Sequence, residues 1–167
     1  MKSNFEFLNR YWPVLAQLGA NAENYLYSDP NACIYKLGMF AERLVQEILV
    51  FEHMDEPKTD NTHANRIRLL KRAGLLPHEI DDTLYVLRKT RNSAVHAGTD
   101  SVDEAKTLLS MTYNLAVWFM ETYGDWGFIA GDFVMPEKEH QADLKSVIED
   151  QEKKIAELSK KLAQVTT

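Results

Sequence analysis

Residues 31–51 read NACIYKLGMFAERLVQEILVF. Ile34, Leu37, Ala41, Leu44, Ile48 and Phe51 recur every three or four residues, so a helix over this stretch gathers them on one apolar stripe. Such a stripe must be covered, and the sequence on either side supplies more helices to cover it. Upstream, residues 4–27 form a first helical region in which Pro13, lacking an N–H, either kinks the helix or starts its main part near Trp12. SDPN (28–31) then breaks the chain. Downstream, HMDEPKTDN (53–61) reads as a polar loop, and Thr62 to Ala73 as a short helix closed by Gly74. Pro77 suits the first turn of a fourth helix that runs to Ala97, with Gly98 as its cap. SVDE (101–104) is a capping-box pattern. It opens a fifth helix with Val102, Ala105, Leu109, Thr112, Ala116, Phe119 and Tyr123 along one face. GDWGFIAGDFVMPE (124–137) is Gly-rich and aromatic, and predicts an extended strap. The fold class is therefore all-α: a helical bundle of about five helices over residues 1–125, an extended linker at 126–137, and a last helix at 138–167.

That last helix has its own pattern. Leu144, Ile148, Gln151, Ile155, Leu158, Leu162 and Val165 are spaced 4-3-4-3-4-3, a heptad seam interrupted only by Gln151. Ile148, Ile155 and Leu162 share one core position, and Leu144, Leu158 and Val165 the other. Isoleucine at the first and leucine at the second favours a parallel two-stranded coiled coil. The simpler reading is one amphipathic helix lying on its own bundle. The coil predicts a homodimer, and the pattern running out at QVTT suggests a segment of a longer protein.

Composition removes several functions. With 167 residues, 45% hydrophobic and 26% charged, the chain has the make-up of an ordinary globular domain. Its net charge of −6 and pI of about 5.4 argue against gripping duplex DNA by a bulk positive field. Cys33 is the single cysteine, which rules out an internal disulfide or a cysteine zinc site and fits a reducing, cytoplasmic setting. No signal-peptide pattern opens the chain, and no apolar run approaches the ~18 residues of a membrane span. His53, His63 and His78 are scattered without an i,i+4 pair, so no metal site is expected. The one basic cluster lies in HANRIRLLKR (63–72): Arg66, Arg68, Lys71 and Arg72 either contact phosphates or form a solvated face. The aromatic residues, Tyr11, Trp12, Tyr25, Tyr27 and Tyr35 among them, read as packing.

The chemistry-bearing stretch is LRKTRNSAVHAG (87–98). The fourth helix buries Ile80, Leu84 and Leu87, and the same stripe then reaches Arg91. A charge at such a position needs a partner, and Glu42, flanking the stripe of the second helix, is the candidate. Asn92 and His96, one turn apart, share a face with Arg88. On a functional reading, His96 moves a proton, Arg91 stabilises charge on a phosphorane and Asn92 holds the geometry, which suffices for metal-free RNA cleavage by the 2′-hydroxyl.

R-N-x-x-x-H at the end of a helix in an all-helical bundle resembles the HEPN superfamily, at Arg91, Asn92 and His96. The resemblance implies a bundle that often dimerises and is a metal-independent ribonuclease in some members. NFEFLNRYWPVLAQLGANAENYLYSDPNACIYKLGMFAERLVQEIL (4–49) is similar to the opening of type I restriction enzyme R subunits, and this similarity extends over residues 3 to about 125. It implies a non-catalytic N-terminal module of an ATP-dependent DNA restriction protein, serving assembly or nucleic-acid-linked regulation. Its partners would then be the restriction-complex subunits and DNA, through the parent protein. The chain has no G-x-x-x-x-G-K-[ST] and no paired carboxylates with lysine for a nuclease. No cofactor is expected in it, ATP and Mg²⁺ belonging to downstream parts of the parent. The alternatives are a HEPN ribonuclease acting on RNA and a pure dimerisation module.

Overall fold

The structure, a computed structural model, describes residues 2–97 and 101–165, and the side chains of all of these except 94–97 and 139–145. Its described elements are helical throughout: a 3-10 turn (Glu6–Leu8), α1 (Pro13–Tyr25), α2 (Pro30–Phe51), α3 (His63–Arg72), α4 (His78–Ala97), α5 (Val102–Phe119) running into a π-helical turn (Met120–Gly124), and α6 (Lys138–Val165). The chain divides into two units, Lys2–Met135 and the segment from Pro136 onward.

Local chemistry sets most helix ends. Pro13 and Pro30 occupy first-turn positions, where a missing N–H costs nothing. Pro13 thus begins α1 and does not kink a longer helix. Asp29 accepts from the Ala32 N–H at 3.1 Å, Thr62 from Asn65 at 3.2 Å and Ser101 from Glu104 at 3.1 Å, so three helices start on a side-chain cap. After α3 the chain turns through Gly74 at φ 72°, a left-handed conformation that suits glycine.

Helix α2 is central and packs against α1, α3, α4 and α5. It buries Ile34, Leu37, Ala41, Leu44 and Ile48, and also Cys33, Phe40, Val45 and Leu49, so more than one face is covered. Phe51, expected on the stripe, lies beyond the last core layer and is exposed, its ring edge-on to Tyr123 at 4.9 Å. Helix α5 contributes Ala105, Leu109, Thr112, Ala116 and Phe119 to the core. Thr112 is tolerated there because its hydroxyl donates to the Leu108 carbonyl at 2.7 Å. Cys33 is fully buried, and burial, with Glu23 nearby, pushes its thiol up to about 12.

The stretch after the π turn lies on the bundle without regular structure. Phe128 stacks on Phe7 at 4.8 Å, Phe133 packs on Tyr113 at 5.4 Å, and the Tyr113 hydroxyl donates to the Gly131 carbonyl. Asn4 fastens it: Nδ2 donates to the Val134 carbonyl and Oδ1 accepts from the Val134 N–H, both at 2.8 Å. Nδ2 also donates to Glu23 at 2.6 Å, tying the strap to α1. Asn4→Ala is expected to cost about 2 kcal/mol, two backbone bonds at roughly 1 kcal/mol each. Amide exchange at Val134 should accelerate while exchange at Leu115, in the core of α5, keeps its rank as the slower site.

Helix α6 forms the body of the second unit. Ile148, Ile155 and Leu158 are 54, 64 and 62% exposed, and Gln151 between them is exposed as well.

Candidate functional site

The polar residues of the bundle converge where α2, α3 and α4 meet. On α4, the buried residues Ile80, Leu84 and Leu87 lead to Arg91, which is half-buried. Its stem crosses α2 at Gly38. A Cβ at position 38 would stand 2.2 Å from Arg91 Cδ and 2.8 Å from its Cβ and Cγ, so glycine is what lets the arginine pass. One turn further along α2, Glu42 Oε2 accepts from Arg91 Nη1 at 2.9 Å. The structure thus brings Glu42 and Arg91 together, at side-chain exposures of 34 and 18%.

A third helix enters the same pair. Arg66 of α3, only 8% exposed, donates from Nε to Glu56 at 2.7 Å and from Nη2 to Asn61 at 2.6 Å. Its Nη1 stands 3.7 Å from the other Glu42 oxygen. One carboxylate therefore bridges two guanidinium groups, and Arg66 also pins the loop between α2 and α3. Burial alone would raise the Glu42 pKa, but the Arg91 hydrogen bond and charge, with His63 and Arg66, outweigh it and hold it below the usual carboxylate range.

His63, one turn before Arg66, is buried and neither ring nitrogen has a hydrogen-bond partner. Burial lowers its pKa to about 4; Glu42 opposes this, while Arg91, Arg88 and Arg66 add to it. The imidazole is neutral at pH 7. In the sequence His63 stands as a scattered histidine and Arg66 as part of a basic cluster. The signal that places them inside was available: 63, 66, 67 and 70 are spaced as one helical face, and Ile67 and Leu70 occupy the rest of it.

The other expected site residues are dispersed. Asn92 is exposed. Arg88 is half-buried with its guanidinium 5.7 Å from the Tyr85 ring centroid, a position Lys89 shares. The side chain of His96 lies outside the described residues, as does Gly98. Of the basic cluster, Arg66 is turned inward, Arg68 donates to Asn65, Lys71 pairs with Asp81 at 3.1 Å, and Arg72 is exposed. Arg66 is thus unavailable as a surface phosphate contact in this arrangement, because carboxylate and amide oxygens occupy its guanidinium. Among the described residues no group of three or more His, Cys, Asp or Glu side chains could hold a metal ion. No helix among them is long and apolar enough to cross a membrane.

Gly38→Ala tests the crossing. Alanine gains about 1 kcal/mol of helix propensity. Overpacking a filled site costs about 1–3 kcal/mol, and here the obstruction is the stem of Arg91, not its flexible tip. A net loss of about 1–2 kcal/mol is expected in a urea titration. In an Arg91→Ala background the same change should become neutral or stabilising, and an unchanged loss there would show that Arg91 is not the obstruction.

Residues 20–161 match DUF4145, a domain of unknown function, and the chain belongs to that family. It is also similar to the type I restriction enzyme EcoKI endonuclease subunit of Escherichia coli (strain K12), 30% identical over 138 residues. That alignment covers 82% of this chain and 12% of the relative, so the chain spans about an eighth of that protein's length. No solved structure gives a significant match.

Proposed function

We propose that this chain is a non-catalytic helical module of a type I restriction endonuclease R-subunit-like protein, serving assembly or nucleic-acid-linked regulation. The similarity to the EcoKI endonuclease subunit supports the restriction-related role. The observation that carries the non-catalytic part is the engagement of Arg91. A phosphate-stabilising arginine has to face its substrate. Arg91 instead lies over Gly38 with its guanidinium on Glu42, which Arg66 also approaches. The junction acts as a polar clasp that fixes α3 and α4 on α2. Restriction-complex subunits and DNA are then engaged through the parent protein, whose ATP and Mg²⁺ sites lie in other segments. Self-association through the exposed seam of α6 gives the module its assembly role, and light scattering at micromolar concentration should report a dimer.

The competing assignment is a HEPN ribonuclease with His96 as proton-transfer group, Arg91 as phosphate stabiliser and Asn92 as orienter. The two separate in one assay. Single-stranded RNA incubated with the chain in EDTA should remain intact. Cleavage that leaves 2′,3′-cyclic phosphate ends, spares DNA of the same sequence and disappears in His96→Ala would replace the present reading.

A further inference from the structure

We infer that α6 binds a second copy of itself as a parallel, in-register two-stranded coil, and that Gln151 sets this orientation. The inference rests on the self-association proposed above and adds its geometry. In the heptad seam, Ile148, Ile155 and Leu162 occupy the first core position, and Gln151, Leu158 and Val165 the second. In a parallel coil each core residue faces its own copy, so Gln151 meets Gln151. A primary amide carries both donors and an acceptor, and two of them can satisfy one another across the seam. In an antiparallel coil a second-position residue faces a first-position residue. Gln151 would then meet Ile148, Ile155 or Leu162, none of which can accept or donate, and its buried amide would be left unpaired.

The flanking charges point the same way. Val147, Lys154 and Lys161 lie on one side of the seam, and Glu152 and Ser159 on the other. A parallel coil sets each residue of the first side beside the residue five positions on in its partner. That gives Val147 with Glu152 and Lys154 with Ser159, and no like charges meet. An antiparallel coil pairs like sides. With Gln151 opposite Ile155, Lys154 faces Lys154 and Glu152 faces Glu152. With Gln151 opposite Leu162, Lys154 faces Lys161. With Gln151 opposite Ile148, Val147 faces Lys154 and no like charges meet, so charge disfavours two of the three antiparallel registers, while the amide that needs its twin disfavours all three. A single polar residue in a core position specifying register at a cost in affinity is a known use of such residues.

The test uses the full chain with Gln151→Cys. Two thiols can bridge only if their Cα atoms come within about 7 Å, which the parallel register provides and an antiparallel one does not. Cys33, fully buried with its thiol pushed up by burial, stays silent in the folded protein. Under mild oxidation the variant should convert to a covalent dimer on a non-reducing gel. A second variant, Gln151→Leu, should tighten the dimer about tenfold or more, since an apolar pair replaces a buried polar one. A light-scattering dimer in which Gln151→Cys stays reduced, while it crosslinks to Ile148→Cys, Ile155→Cys or Leu162→Cys in a mixture, overturns the orientation and leaves self-association intact. A strictly monomeric wild-type chain overturns both. A Gln151→Leu dimer weaker than wild type overturns the placement of Gln151 in the seam.

Discussion

Arg66→Ala is expected to destabilise the bundle by about 3 kcal/mol, the larger of the two losses at the polar junction. Its guanidinium reaches Glu56, Asn61 and Glu42 from a side chain 8% exposed, so truncation removes three polar contacts at a buried position. Arg91→Ala should cost less, about 2 kcal/mol, for two reasons. Glu42 keeps Arg66 as a second partner, and at 34% exposure water can reach it once Arg91 is gone. Arg88→Ala should cost under about 1 kcal/mol, since Arg88 lies over an exposed tyrosine ring, Tyr85. Urea titrations of the three variants should therefore rank Arg66 above Arg91 above Arg88. Equal, small losses at Arg66 and Arg91 would mean that the clasp does not hold the helices, and would return Arg91 to the list of groups available to a substrate.

The bundle was legible in the sequence because its signals are local. The stripe from Ile34 to Ile48, Pro13 near the start of the first helix and the Ser101 cap each depend on residues within a turn or two. The pairing of Arg91 with Glu42 was reachable too, since a charge on an apolar stripe demands a partner on a facing stripe. What could not be read is whatever depends on distant approach. Nothing local in YKLGMF says that Gly38 is where an arginine from 53 residues downstream crosses. Nor does NFEF announce that Asn4 will hold the backbone of Val134. The interior position of His63 and Arg66 is a different case. The helical face is there, but Arg66, Arg68, Lys71 and Arg72 within ten residues give the segment the look of a solvated surface and conceal it.

His63 makes the junction acid-sensitive. Its folded pKa of about 4 lies below the ordinary value of 6.5, so between these two pH values the unfolded chain binds a proton that the folded chain refuses. Stability therefore rises with pH across that window, is fully present above about 6.5, and is lost as pH falls toward 4. At about 1.4 kcal/mol per pH unit the loss from this one group amounts to about 3 kcal/mol. Burial sets the sign, because an imidazolium at this position would lose its hydration; Glu42 on α2 is the counter-charge that opposes it, and Arg91 and Arg88 on α4 and Arg66 on its own helix repel the charged form further. Glu42 itself adds acid sensitivity in the same direction, but lower. Its folded pKa is depressed below 4.5, so its contribution begins to fail only as pH drops through that value. Urea titrations at intervals from pH 7 to pH 5 isolate the histidine, because Glu42 remains ionised throughout. Wild-type stability should fall by roughly 2 kcal/mol over that interval. His63→Leu, which fills the site with an apolar side chain that cannot titrate, should show most of that slope removed. The same slope in both proteins would place the titrating group elsewhere and would mean that the imidazole of His63 carries its charge with a partner even when folded.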